Sequence, residues 1–335
     1  MEHFRRLVTV LALSAVGCVA PHIGTPAPAS FVSTPMHNEM PASARSSVAL
    51  RVAGGPKPTA LHYDDFEYEV SRLEKNAEAA FRAHGWTDVK ANNSYYGRGG
   101  GFLFTKYDPI LASRVLVMES RPSMTGIPPG FRFSQTDYYL KLGQDNAPLT
   151  TIPANLWIQF WTYATPESRF GRRDKTIYPC RGSYPCQRGQ LGWLFMWGAA
   201  GFETVSAPDG GRFLALEGER ADFQGATEYP TNARKLYQNV SRTPLLADRW
   251  YQVKLHVDVS HDQGVYEAWV RERGMPWTKV AEWIGGVTRG FVWSIPEEER
   301  LGFKQLAMPT TVGGPDDSTT YMDDFVLAGS EDGLP

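Results

Sequence analysis

Charge of one sign is what the chain most conspicuously lacks. Its 335 residues carry 34 Lys and Arg against 36 Asp and Glu, a net charge of −2. Without a basic stripe to neutralise phosphates, nucleic acid is excluded as a partner, and anionic lipid meets no attracting field. Long apolar runs are missing as well. The segment LVTVLALSAVG, behind Arg5 and Arg6, is too short to span a bilayer as a mature helix. Cysteine is scarce, with three residues in all. Cys180 and Cys186 alone do not complete a zinc site, and no histidine lies near them in sequence. The G-x-S-x-G elbow, H-E-x-x-H, the P-loop and G-x-G-x-x-G are all absent, which removes the enzyme classes that those motifs serve. The glycine-rich GRGGG at 97–101 precedes a strand rather than a helix and reads as a loop hinge. No internal repeat of 20–50 residues is present, which fits a single domain.

What is present begins with an export signal over residues 1–20, where two positive charges lead a short apolar run. Two processing routes stay open: cleavage after Ala20, or lipid attachment at Cys18 behind the lipobox-like AVGC at 15–18. Either places the protein outside the cytoplasm, secreted or at the cell surface. A lipoprotein of the periplasm or outer membrane is the lipidated form, and the lipid is then its membrane contact. In an oxidising compartment the spacing YPCRGSYPC favours a disulfide between Cys180 and Cys186. Residues 21–60 are rich in Pro, Ala and Ser and read as a flexible tether.

From Leu61 the pattern changes to one monomeric domain over 61–329, with a tail at 330–335. Val70, Leu73, Ala77, Ala80 and Phe81 recur at helical spacing, which predicts one short helix near the start of the domain. Short strand-like runs separated by Gly, Pro and Asp then follow to the end, the pattern of an all-β sandwich or jelly roll. The stretch LADRWYQVKLHVDVSHDQGVYEAWV (246–270) is its clearest hairpin. Tyr251, Val253, Leu255, Val257 and Val259 share one side. Gln252, Lys254, His256, Asp258 and Ser260 share the other. On the second arm Glu267, Trp269 and Arg271 fall in the polar phase, as Gln159 and Trp161 do in LWIQFWTYA.

HYDDFEY near the start and YMDDFVL near the end resemble the paired first and last strands of the concanavalin A-like superfamily. That arrangement would gather Asp64, Asp65, Asp323 and Asp324. Asp64, Asp65 and Asp324 are accordingly candidate ligands of a structural calcium, which takes oxygen donors of this kind. WYQVKLHVDVS, YEAWV and GFKQLAM extend the resemblance to the jelly-roll polysaccharide lyases of the alginate and glucuronan type. It implies a neutralised uronate carboxylate and a His or Tyr that shuttles a proton. Glu119 and Arg121, Gln159, and Phe303 with Lys304 match the lyase strands. The lyase histidine becomes Trp161, and its tyrosines become Gly302 and Met308. His256, Tyr139 and Tyr163 remain as substitute proton-transfer candidates.

These residues lead to an exported carbohydrate-binding sandwich that holds a polysaccharide on its concave face through Arg121, Gln159, Trp161, Lys254 and Trp269. The alternatives are a polysaccharide lyase acting by β-elimination, and a structural surface protein with no small ligand. One test follows from the cysteines alone. Intact-mass analysis of the exported protein should show Cys180 and Cys186 alkylated only after reduction. Alkylation of both without reduction would refute the bridge.

Overall fold

The structure, a computed structural model, describes residues 59–72, 77–95, 98–120, 139–144, 146–164, 173–180, 190–197, 212–219, 245–246, 248–261, 265–284, 286–288, 291–293, 297, 300–308, 311–313 and 318–335. The export signal, the tether up to residue 58, Cys18, Arg121 and Cys186 lie outside them, and Ala60, given to the tether, opens the first strand. The elements run β1 (Ala60–Asp64), α1 (Ala77–Ala83), β2 (Asp88–Lys90), β3 (Asn92–Tyr95), β4 (Arg98–Asp108), β5 (Ser113–Ser120) and β6 (Tyr139–Gly143). Next come β7 (Asn155–Ala164), β8 (Arg173–Cys180), β9 (Gln190–Trp197), β10 (Arg212–Glu219), β11 (Tyr251–Asp258), β12 (Val265–Glu272) and β13 (Thr278–Ile284). The last are β14 (Gly286–Thr288), β15 (Phe291–Trp293), β16 (Gln305–Met308), β17 (Thr311–Gly313), β18 (Ser318–Ala328) and a 3-10 turn at Glu331–Gly333.

Two antiparallel sheets make the fold an all-β sandwich, the class expected. A nine-stranded sheet has the order β13-β12-β11-β7-β18-β5-β4-β3, with β1 also alongside β18. A seven-stranded sheet runs β10-β9-β8-β16-β6-β2, with β17 beside β8. Leu156, Ile158 and Phe160 of β7 and Val253, Leu255 and Val257 of β11 share one core with Leu140, Leu142, Leu306 and Met308 of the other sheet. Burying each such side chain stabilises the fold by about 1.5–3 kcal/mol. The hairpin has the expected register, from Tyr251 opposite Glu272 to Asp258 opposite Val265. Because strand side chains alternate, this core face commits Gln252, Lys254 and His256 to the outside of the sheet.

The first and last long strands do lie side by side, with Tyr63 opposite Val326 and Asp64 opposite Phe325. β18 carries a bulge between Asp323 and Val326, and Asp324 takes up the extra residue at φ 48°. Aspartate tolerates this left-handed conformation better than most residues. The bulge keeps Phe325 and Leu327 in the core while Val326 and Ala328 face outward with Leu334.

The helix leaves out Val70, which its periodicity included, and Leu73 lies outside the described residues. The helix spans Ala77–Ala83, burying Ala77 and Phe81. Val70 is tied to β4 instead: its amide donates to Thr105 Oγ1 at 2.9 Å, and its carbonyl accepts from the Thr105 amide at 3.0 Å. A strand captured the apolar position that spacing alone gave to the helix. Residues 330–335 also differ from a free tail, for Leu334 is buried against Val326 and Ala328.

Asp64 locks this corner. It accepts from the Phe66 amide at 2.8 Å, the Trp86 indole at 2.6 Å and the Tyr68 hydroxyl at 2.9 Å. Trp86 is among the largest fully buried side chains, so its indole has no recourse to water. Asp64→Ala should therefore lower unfolding stability by about 3 kcal/mol, the scale of stranding buried donors. A urea titration showing a loss under about 1 kcal/mol would contradict that role.

Candidate functional site

β7, β11, β12 and β13 are neighbours, so their outward residues form cross-strand rows. Trp157, His256 and Glu267 make one row, and Gln159, Lys254 and Trp269 the next. Trp161, Gln252 and Arg271 make a third. Lys279 of β13 stands beside Trp269. The sheet therefore brings Gln159, Trp161, Lys254, His256 and Trp269 onto one surface.

The centre of that surface is aromatic. Trp157 and Trp269 stack with centroids 5.8 Å apart and planes at 19°. His256 lies 4.0 Å from Trp157 at 12°. Lys254 Nζ sits 4.8 Å from the Trp269 ring, 5.1 Å from Trp277 and 5.7 Å from Trp157. The Arg271 guanidinium rests 4.2 Å over Trp277. Each contact is within cation–π range. The polar atoms around the rings are held in place. Glu267 takes the Lys279 ammonium at 2.6 Å and His256 Nδ1 at 2.8 Å. Burial pushes the Glu267 carboxyl up, but its bonds to Lys279 and His256 outweigh this and its pKa ends lowered. Arg271 Nε donates to Gln252 at 2.7 Å.

The surface is partly roofed where sequence reading expected it open. Trp161 is 6% exposed and packs with Val115 and Trp250 in a satellite cluster, so it is structural and offers no stacking face. Gln159 is buried too, and Lys254 is 8% exposed. Trp157, Trp269, Trp277 and Arg271 are half-buried and keep a share of the surface.

The proton-transfer candidates are not assembled. Both His256 ring nitrogens face side chains, Nδ1 toward Glu267 and Nε2 toward Asn155 Oδ1 at 3.3 Å. Asn155 is oriented in turn by its Nδ2, which donates to Asp258 Oδ2 at 3.2 Å. The Tyr163 hydroxyl donates to Asp248 at 2.8 Å, and burial with that carboxylate pushes its pKa up. Tyr139 belongs to the seven-stranded sheet, under Lys141 Nζ at 4.2 Å. Gly302, at a position where the lyases carry tyrosine, has φ +131°, and a Cβ there would lie 2.3 Å from the Ile152 carbonyl. That position excludes any side chain. Glu119, matched on β5, bonds Arg72 at 2.6 Å.

The aspartates are likewise separated by function. Asp64 is spent on its three donors, and Asp65 accepts from the Glu67 amide at 3.2 Å. Asp324 accepts from the Tyr63 hydroxyl at 3.1 Å. Among the described residues no group of three His, Cys, Asp or Glu side chains could hold a metal ion. Asp64, Asp65 and Asp324, expected as calcium ligands, each accept hydrogen bonds within the fold.

Sequence reading missed Trp157, Trp277 and Glu331. Trp157 shares the phase of Gln159 and was available to the same period-two reading. Trp277 follows the Gly274 turn in no phase, and Glu331 arrives from far along the chain.

No family model matches the sequence, and no curated protein matches it. Solved structures align along most of its length. A cellulose induced protein aligns at 10% identity over 80% of this chain and 97% of its own, with a TM-score of 0.41. The catalytic domain of a glycoside hydrolase family 131 protein from Coprinopsis cinerea gives 13%, 76% and 90%, with a TM-score of 0.38. The Lotus tetragonolobus seed lectin gives 6%, 72% and 94%, with a TM-score of 0.37. At these scores the likeness carries no argument, and the fold assignment rests on the strand pairings above.

Asp323 offers a test of the outer face. It is buried, accepts from Ser113 Oγ at 2.8 Å, and has its pKa pushed up to about 8 by burial and then by the Asp324 charge. The folded state therefore holds this proton more tightly than the unfolded chain does. Its contribution to stability is full below about pH 4 and is lost as pH rises through about 8. Asp323→Asn should flatten the fall of Tm between these limits. An unchanged pH profile would show that Asp323 ionises normally.

Proposed function

We propose that the protein is an exported carbohydrate-binding sandwich, and that the outer face of its nine-stranded sheet holds a polysaccharide. The observation that carries this reading is the near-parallel Trp157–Trp269 pair, with Trp277 beside it, on a polar sheet face. Such rings offer flat apolar area to the C–H faces of sugar rings. Arg271, Lys279 and Glu267 supply fixed donors and acceptors for hydroxyl groups at the same place. His256 braces the platform by stacking on Trp157, Lys254 stands among the three indoles, and Gln159 is buried in the same row. Trp161 belongs to the satellite cluster.

Substitution at the platform separates a ligand face from an inert one. Trp269→Ala should weaken binding to a retained polysaccharide by about 1–3 kcal/mol, roughly 5- to 150-fold, with the fold intact by circular dichroism. The measurement is affinity electrophoresis across a panel of neutral and uronate polysaccharides. The same panel, followed by ultraviolet absorbance of unsaturated ends, separates binding from β-elimination. Undiminished binding by Trp269→Ala would overturn the assignment of this face.

A further inference from the structure

We propose that the C-terminal turn is a built-in competitor for this face: Glu331 holds the donor that a bound glycan would otherwise engage. The inference rests on the reading of the face as a polysaccharide site, and goes beyond it. The Glu331 carboxylate bonds Lys254 Nζ, the ammonium standing among Trp157, Trp269 and Trp277. The pair is asymmetric. The Lys254 side chain is 10% exposed, whereas that of Glu331 is 56% exposed. Lys254 comes from the middle of β11 and has no room to leave. Glu331 sits on a three-residue turn at the surface, and a ligand oxygen arriving from solvent could take its place.

The turn is seated rather than loose. Leu334 is 4% exposed, packed with Val326 and Ala328 against the flank of Trp157. At Gly333 an added Cβ would come within 2.7 Å of the Ala328 Cβ, so the turn lies flush on β18. Leu334 thus anchors the turn, and Glu331 reaches from it into the tryptophan cluster. A sugar seated on Trp269 would bring a hydroxyl toward Lys254 only by displacing that carboxylate. An ion pair with one exposed partner is weak enough to be exchanged in this way.

The test uses the full-length protein in wild-type, Glu331→Gln, Leu334→Asp and Trp269→Ala forms. Each is measured for affinity toward the polysaccharide retained best in the panel, and for acrylamide quenching of tryptophan fluorescence without ligand. Glu331→Gln should bind about two- to fivefold more tightly, because a neutral amide holds the Lys254 ammonium less strongly than a carboxylate does. Leu334→Asp should raise quenching by uncovering Trp157. Unchanged or weaker binding by Glu331→Gln, while Trp269→Ala still loses binding, would overturn the competitor and leave the ligand face standing. Unchanged quenching in Leu334→Asp would overturn the seated turn. Raised quenching with no polysaccharide bound by any form would overturn the ligand face, and the competitor with it.

Discussion

The pairing of β11 with β7 on one side and β12 on the other is the constraint from which the rest follows. Strand side chains alternate, and one face of these three strands is sealed by the second sheet through Leu156, Ile158, Phe160, Val253, Leu255 and Val257. A slip of one residue would carry every apolar side chain into water, so the register is strongly held. Once it is held, the outward rows follow without further choice. Trp157, His256 and Glu267 must line up, as must Gln159, Lys254 and Trp269. Any ligand face is therefore a consequence of core burial on the opposite side of the same strands.

Desolvation then shapes what those rows can do. Placing a lysine and an arginine among tryptophans takes charge out of water, an imidazole beside them takes polar atoms out of it, and each group is compensated. Lys254 has Glu331 and three ring faces, His256 has Glu267 and Asn155, and Arg271 has Gln252 and Trp277. The compensation fixes the groups in place. A ring whose two nitrogens are both engaged suits a rigid platform better than a moving proton. The aspartates at the β1–β18 junction follow the same logic. Asp64 and Asp323 are buried and accept hydrogen bonds, which holds their carboxyl groups in place.

The hairpin and the sandwich class were legible in the sequence because each depends on local period, and the adjacency of the first and last strands was what the resemblance carried by their shared Asp-Asp-Phe implied. The shared surface of Gln159, Lys254, His256 and Trp269 was legible from the same local period. Period two states which face a residue takes, but not what later folds over that face. Trp161 has the right phase, yet Trp250 and Val115 enclose it, and that contact belongs to tertiary packing. The helix was overdrawn at Val70 because Thr105, 35 residues away, bonds its backbone. The aspartates expected to hold calcium are shaped at the same level. Sequence brought the carboxylates to neighbouring strands, and the indole of Trp86 and the hydroxyl of Tyr63 then claimed their oxygens.

The central claim is that ligand sits on the outside of the nine-stranded sheet, over β7, β11 and β12. Hydrogen–deuterium exchange with and without a saturating retained polysaccharide tests it most directly, because it locates the contact without altering a side chain. The account predicts slowed exchange in β12 and in the segments around Trp157 and Trp277, with the seven-stranded sheet unchanged. Protection confined to the seven-stranded sheet, or to the β4–β5 edge, would contradict it.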